Sequence, residues 1–149
     1  MPQISNKGSE LPQSAIRKLV PFSDAAKERG IHVYHLNIGQ PDIESPQCAL
    51  DAIRNIDLKL LAYANSAGNE SYRKGLAKYY NNINIKVDYT DILVTTSGSE
   101  AVELALKAVC NPDDEVIVME PFYTNYNTFA KLCGATIKTI PSDIKDGFA

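Results

Sequence analysis

The chain has 149 residues, of which 44% are hydrophobic and 22% charged, with a formal net charge of −3 at pH 7. This composition is typical of a globular domain with enough apolar mass for a core. The mixed charges provide no basic face for nucleic acid. No apolar run is long enough to span a bilayer, and the N-terminus lacks the apolar core of a signal peptide. We therefore expect a cytoplasmic protein with neither nucleic-acid nor membrane partners.

The cysteine content also predicts a cytoplasmic protein. Cys48, Cys110 and Cys133 are odd in number and far apart in the sequence, a pattern that predicts small buried thiols in a reducing environment rather than a disulfide framework. His32 and His35 are the two histidines, so no zinc-type ligand spacing can be assembled. The sequence predicts no metal site.

The first fifty-odd residues predict short elements between loops. Two helical pieces, 14–20 and 23–30, are separated at Pro21, and the alternating stretch 31–39 suggests a short strand or extended passage. A proline-marked loop follows. Ser45 and Pro46 then form an N-cap and first-turn pair for a helix that ends near residue 55.

The next helix follows the loop "AYANSAGNES". It carries Tyr72 and Tyr79 at helical spacing, which predicts that both rings face a core. Glu70 and Lys74 are four residues apart, so they form a favourable pair on the helix surface. Gly75 weakens this helix relative to alanine.

From residue 91 onward, strands alternate with helices. The predicted strands and helices, in chain order, are strand 92–96, helix 99–111, strand 115–119, helix 124–134 and strand 135–140. Strands joined by helices at this spacing indicate right-handed β-α-β units and a parallel sheet buried on both faces. Three strands and two helices are few for a finished α/β domain, so we expect the sequence to be part of a longer one.

The turn in "VTTSGSEAV", residues 94–102, supports two compatible interpretations. Ser97 and Glu100 match the capping box, which needs no ligand. The turn also joins the end of a predicted strand to a helix N-terminus, where N–H groups and the helix dipole favour a phosphate. Gly98 would allow close approach, and Ser97 and Ser99 could donate hydroxyls. Without a second glycine or a "GK[ST]" motif, a single terminal phosphate fits better than a nucleotide.

Aromatic residues follow the next strand, in "EPFYTNY". Tyr123 is the best candidate to lie flat on a planar ligand if Phe122 turns inward, although aromatics in this position often only cover a core. A planar heteroaromatic ring with one phosphate describes pyridoxal phosphate. Two other residues allow more than one interpretation. Gly39 provides either the backbone freedom of an interdomain turn or room for a substrate group to pack against the backbone. Tyr63 lies in a polar loop that could present its hydroxyl to a ligand.

Four segments taken in order resemble the N-terminal portion of the class I/II aminotransferases, which are pyridoxal-phosphate-dependent enzymes of fold type I, aspartate-aminotransferase-like. The segments are "LNIGQPDIESP", "AYANSAGNESYRKGLAKYY", "ILVTTSGSEAVELAL" and "DEVIVMEPFYTNY". The resemblance implies an α/β fold, incomplete here, in which a parallel sheet with flanking helices forms the large domain. It divides the chain into an N-terminal arm and small-domain piece, 1–43, and the truncated cofactor-binding domain, 44–149.

The resemblance also implies roles for individual residues. Gly98, Ser99 and Glu100 correspond to the phosphate cup, mainly through backbone N–H groups and the Ser99 hydroxyl. Tyr123 corresponds to the aromatic that stacks on the cofactor ring. Tyr63 corresponds to a tyrosine that reaches the phosphate of the neighbouring subunit in a homodimer. By the same comparison, Gly39 lines the substrate carboxylate site.

The implied activity is transfer of an amino group from an amino acid to a 2-oxo acid. The family's Schiff-base lysine, its pyridinium-pairing aspartate and its carboxylate-binding arginine have no counterpart here, since Lys131, Lys138 and Lys145 lie outside the lysine motif. The sequence therefore contains no catalytic residue, and we expect weak or no cofactor binding and no turnover from these residues alone.

Two alternatives remain open at the level of sequence. The chain could be a non-catalytic truncated or proteolytic remnant that survives by association with a partner. A pyridoxal-phosphate lyase or synthase of the same fold would share these segments. Substrate specificity is set by residues that the sequence does not include.

Overall fold

A computed structural model describes residues 2–11, 14 and 16–148. The helices and strands, in chain order, are α1 (Asn6–Ser9), α2 (Val20–Glu28), α3 (Gln47–Arg54), α4 (Glu70–Asn82), α5 (Gly98–Val109), β1 (Glu115–Met119), α6 (Asn125–Cys133) and β2 (Thr136–Ile140). Short 3₁₀ turns lie at Arg17–Leu19, Tyr89–Asp91 and Ile144–Asp146. The contacts divide the chain into two units, a first unit of residues 1–38 and 97–149 and a second unit of residues 39–96.

The first unit contains a parallel β-α-β element. Strands β1 and β2 pair in parallel, from Glu115 opposite Thr136 to Met119 opposite Ile140, and α6 connects them. Backbone bonds extend the pairing at both ends, from the Thr136 N–H to the Asp114 carbonyl at 2.8 Å and from the Glu120 N–H to the Ile140 carbonyl at 2.9 Å. The predicted parallel pairing and its helical crossover are confirmed.

The core of the first unit lies where α6 meets β2. Helix α6 packs against both α5 and β2, and the buried apolar side chains among the described residues are Phe129, Ala130 and Ala135. Along β1, half-buried and exposed positions alternate, and Ile117 is 67% exposed. The prediction of a sheet buried on both faces is therefore wrong for the described chain, because alternate positions of β1, Ile117 among them, stay exposed.

Helix α6 ends at a residue that must be glycine. Gly134 caps it in the left-handed conformation, with φ +84°, and a Cβ there would lie 3.2 Å from the Pro112 Cα. The Gly134 carbonyl accepts a hydrogen bond from the Asp113 N–H at 2.9 Å. The end of α6 is thereby tied to the loop that enters β1.

Helix α4 dominates the second unit and begins at Glu70, inside the loop 62–71 that the sequence predicts. Asn69 caps it by accepting a hydrogen bond from the Ser71 N–H at 3.0 Å, and the Glu70–Lys74 ion pair is present at 2.7 Å. Tyr72 and Tyr79 are more than half exposed, so the prediction that they face a core is wrong in this chain. The face that α4 buries packs on the 3₁₀ turn at 89–91 instead.

The predicted strand at 92–96 pairs with no other strand of the described chain. Its Val94 N–H donates to the Ala67 carbonyl at 2.9 Å, so the segment bonds to a turn of the second unit. A parallel strand needs a neighbouring strand to complete its ladder. The predicted strand therefore does not form here, and the described residues supply no strand to pair with it.

Two prolines act differently from the prediction. Pro21 does not separate two helices, since it lies in the first turn of α2, where its missing N–H costs no hydrogen bond. Residue 15, within the predicted helix 14–20, lies outside the described residues. Pro46 is itself the N-cap of α3, with no side-chain capping bond, so Ser45 is not the cap. The stretch 31–39 forms no described strand.

Much of the chain's surface remains accessible. The accessible area is 12765 Å², against about 7,500 Å² expected for a folded single chain of 16.4 kDa.

The three cysteines are free, but Cys48 is exposed and the other two half-buried, so the prediction of buried thiols is wrong for Cys48. No helix in the described part of the chain is long and apolar enough to cross a membrane.

Candidate functional site

The predicted phosphate turn forms the N-terminus of α5. Ser97 is extended, with φ −156°, and its Oγ accepts a hydrogen bond from the Glu100 N–H at 3.3 Å. Its carbonyl accepts the Ala101 N–H at 3.1 Å. Ser97 thus acts as the predicted N-cap, which fixes the direction in which α5 leaves the turn.

Gly98 and Ser99, the first two residues of α5, bring hydrogen-bond donors to this turn. The first N–H groups of an α-helix have no acceptor within the helix. A Cβ placed on Gly98 would meet no atom within 4 Å, and its φ is outside the left-handed region. Neither backbone conformation nor packing therefore requires glycine at this position. Two N–H groups and the half-buried Ser99 side chain make a donor set suited to an anionic phosphate.

Tyr123 lies in the loop after β1, in the same unit as the turn. Its side chain is 45% exposed, and its Oη accepts a hydrogen bond from Asn125 Nδ2 at 2.6 Å. The Tyr126 ring meets it edge to face, at 5.6 Å between ring centres and 89° between planes. Phe122 is half-buried and stacks on Tyr126 at 6.4 Å. An aromatic surface with one accessible tyrosine therefore follows β1.

The start of this loop is tied to the end of β2. The Ser142 hydroxyl donates to the Glu120 carbonyl, and the Glu120 N–H donates to the Ile140 carbonyl. Both backbone groups of Glu120 are thereby held by the last residue of β2 and by Ser142, two residues beyond it. Tyr123 is three residues beyond this anchored point, so β2 restrains the loop that presents its ring.

Tyr63 and Gly39 belong to the second unit. The Tyr63 side chain is fully exposed, and no atom lies within 4 Å of a Cβ placed on Gly39. Four of the six predicted site residues therefore lie in the first unit: Gly98, Ser99, Glu100 and Tyr123. The other two, Tyr63 and Gly39, lie in the second unit. The roles of Tyr63 and Gly39 stay predictions.

Two polar residues with defined partners were not identified from the sequence. Asn125 bonds the Tyr123 hydroxyl, and its position two residues after an exposed tyrosine is the sequence signal for it. Arg73 is the buried charged residue of α4, and nothing in its local sequence distinguishes it from the exposed Lys74. No group of three or more potential metal-binding side chains is present among the described residues.

Two open grooves of the first unit lie apart from these residues. One, of about 740 Å³, lies between α1 and the α6–β2 region and includes Glu10 and Lys131. The other, of about 950 Å³, is mainly apolar and is lined by residues of 16–27 and 33–38. Neither groove is lined by Gly98, Ser99 or Tyr123. The volume of these grooves therefore does not identify the candidate site, which is indicated by the N–H donors of Gly98 and Ser99 and by the exposed Tyr123 ring.

Comparison with known proteins bears on this arrangement. Residues 31–149 match the family model "Aminotransferase class I and II". The chain is 32% identical over 138 residues to a probable N-acetyl-LL-diaminopimelate aminotransferase of Bacillus subtilis, covering 89% of this chain and 33% of that protein. It is 30% identical over 150 residues to the aspartate aminotransferase of Pinus pinaster, covering 97% of this chain and 30% of that protein.

Among solved structures, a single mutant of Thermus thermophilus aspartate aminotransferase superposes with a TM-score of 0.89 at 25% identity, over 99% of this chain and 39% of that one. The chain spans about a third of the length of the curated relatives named above. The predicted fold class, part of an aspartate-aminotransferase-like protein of fold type I, is confirmed.

Proposed function

This chain belongs to the class I and II aminotransferases, and from that premise we propose that it is the N-terminal third of a pyridoxal-phosphate-dependent enzyme. The intact enzyme would move an amino group from an amino acid to a 2-oxo acid. The observation that carries the proposal is the open position at Gly98, where the helix N-terminus offers N–H donors and no protein atom would meet an added Cβ. Glycine there is explained by a phosphate that approaches the backbone.

The residues present fit pyridoxal phosphate. The N–H groups of Gly98 and Ser99, with the Ser99 hydroxyl, would hold the phosphate. Glu100, whose N–H bonds Ser97 Oγ at 3.3 Å, would complete the same cup. When bound, the cofactor supplies an electron sink for the bonds at the α-carbon of the amino acid.

The remaining predicted residues would position the cofactor and the substrate. The Tyr123 ring would lie against the planar ring of the cofactor and exclude water from that face. In a homodimer, Tyr63 would donate its hydroxyl to the phosphate bound by the other subunit. Gly39 would leave room for the substrate carboxylate. The domain division at 43/44 belongs to this proposal. We place the enzyme in the cytoplasm, in keeping with three free thiols.

No residue of this chain is proposed to move a proton. The lysine of the family motif would lie in the remaining two-thirds of the enzyme. The 149 residues alone should therefore show no turnover and little or no cofactor binding. The accessible area of 12765 Å² supports this view, because a chain that buries so little surface needs further partners to hold its site together.

A glycine substitution tests the phosphate site. Gly98→Ala in the protein at its natural length should weaken pyridoxal phosphate binding about tenfold or more, the effect of losing one charge-assisted contact. Its melting temperature should not fall, since the added Cβ meets nothing within 4 Å apart from its chain neighbours and its own helix backbone. Binding of pyridoxal, which lacks the phosphate, is the control and should not change. Equal affinity of variant and wild type for pyridoxal phosphate would refute the proposed cup.

A second candidate is a non-catalytic remnant that persists by association, which the exposed apolar surface also favours. Intact-mass measurement of the protein from its host distinguishes the two. A mass near 16.4 kDa favours the remnant. A mass about three times larger, with a lysine motif in the added sequence, favours the enzyme.

A further inference from the structure

We propose that Asn125 is a positioning residue that holds the Tyr123 ring in the orientation needed to cover the cofactor. This inference rests on the proposed function, because it assumes that Tyr123 meets a planar ring. Asn125 Nδ2 donates to Tyr123 Oη at 2.6 Å. The bond attaches the far end of the tyrosine side chain to the first residue of α6.

A second contact restrains the same ring from its side. Tyr126 meets Tyr123 edge to face at 5.6 Å, and the Tyr126 N–H donates to the Tyr123 carbonyl at 3.0 Å. Tyr123 is therefore restrained at its hydroxyl, at its ring and at its backbone, although 45% of its surface stays accessible. A ring that is both fixed and accessible loses little conformational entropy when a planar ligand packs on it.

The Asn125 side chain does not serve the helix end in the usual way. Asparagine at the N-cap position commonly accepts a backbone N–H through its side-chain oxygen, but Asn125 is one residue further on, at the first helical position. Here Thr124 is the N-cap and makes no side-chain capping bond, and the Asn125 amide donates outward to the phenol. Because the phenol oxygen accepts this bond, its own proton remains free to be donated. The arrangement orients Tyr123 rather than capping α6.

Asn125→Ala tests the inference in the protein at its natural length. Losing one neutral hydrogen bond should weaken pyridoxal phosphate binding about threefold to tenfold. The circular dichroism band of the bound cofactor should decrease, because a looser ring holds the cofactor less uniformly. The melting temperature should not change. The matched control is Asn127→Ala, which removes an asparagine of the same helix whose side chain bonds only the Thr124 carbonyl, at 3.3 Å, and it should bind like wild type.

A double-mutant cycle separates positioning from a general structural role. If Asn125 acts through the Tyr123 hydroxyl, then Asn125→Ala should have no further effect in a Tyr123→Phe background. Additive losses, or wild-type affinity of Asn125→Ala alone, would overturn the inference while leaving the proposed function intact. Absence of pyridoxal phosphate binding by the wild-type protein would overturn the proposed function and this inference with it.

Discussion

Arg73 lies beneath the ring of Tyr89 and bonds its backbone at the same time. The guanidinium carbon is 5.4 Å from the ring centre, and Nη1 donates to the Tyr89 carbonyl at 3.1 Å. Nε donates to the Gly68 carbonyl at 3.2 Å, and the residue is 7% exposed. One side chain of α4 thus joins the turn before the helix to the 3₁₀ turn after it, which makes Arg73 the central polar contact of the second unit.

Arg73→Ala should lower the free energy of unfolding of the second unit by about 2 kcal/mol, because two part-buried hydrogen bonds from a charged donor are lost. Urea denaturation followed by circular dichroism measures the loss, and amide hydrogen exchange at 65–68 and 89–91 locates it. Arg73→Lys should recover only part of the stability, since an ammonium lacks the planar fork that reaches both carbonyls. Lys78→Ala, at an exposed position of the same helix, should change little. Wild-type stability of Arg73→Ala would contradict this role.

Gly68→Ala should destabilise the same unit by about 1–3 kcal/mol. Gly68 has φ +99°, and an added Cβ would lie 2.6 Å from the Val94 side chain. Both strain and overlap therefore oppose the alanine. The same denaturation measurement applies.

Gly75→Ala is the matched control for Gly68→Ala. Gly75 lies inside α4, and a Cβ there would meet no atom within 4 Å. Alanine should stabilise the helix by about 0.5–1 kcal/mol. The two substitutions should therefore act in opposite directions. Stabilisation by both would show that the contact between Gly68 and Val94 does not form.

The Glu70–Lys74 pair predicts that the stability of α4 falls in both acidic and alkaline solution. The hydrogen bond and charge of Lys74 lower the pKa of Glu70 from 4.5, so the pair's contribution is present above pH 4.5 and lost as pH falls through the lowered pKa. Glu70 raises the pKa of Lys74 from 10.5. The contribution is therefore complete below pH 10.5 and lost as pH rises through the raised pKa.

Carboxyl-carbon NMR titration measures the acidic limb of this dependence. In Lys74→Met the pKa of Glu70 should return towards 4.5, and molar salt should weaken the shift in the wild type because both groups are exposed. Lys78→Met should leave the titration of Glu70 unchanged. A Glu70 pKa that is the same with and without Lys74 would rule out the pair in solution.

Lys131 connects α6 to the N-terminal segment. Its Nζ donates to the Glu10 carbonyl at 2.7 Å and lies 3.5 Å from the Glu10 carboxylate. Lys131→Met should raise amide exchange rates at residues 9–11 about twofold to tenfold, the effect of losing one net hydrogen bond. Lys138→Met breaks an ion pair with Glu115 on the strands instead, so exchange at residues 9–11 should stay as in the wild type. Unchanged exchange in Lys131→Met would show that this contact does not restrain the segment.

Local sequence determined much of this protein. The succession of strand 115–119, helix 124–134 and strand 135–140 was sufficient to predict β1, α6, β2 and their parallel order, because a strand–helix–strand unit forms by a right-handed crossover. The four ordered segments that include Gly39, Tyr63, Gly98 and Tyr123 were sufficient to identify the family. The Glu70–Lys74 pair followed from helical spacing alone.

Only the tertiary structure decided which surfaces are covered and which polar groups meet. Tyr72 and Tyr79 have the spacing of core residues yet remain exposed, and 92–96 has strand composition yet finds no partner strand in the described chain. Arg73 is buried with its donors bonded to the Gly68 and Tyr89 carbonyls, and the second of these lies 16 residues further along the chain. Periodicity specifies the face of an element, but burial and hydrogen bonding depend on what packs against that face, and this is settled by contacts beyond any local segment.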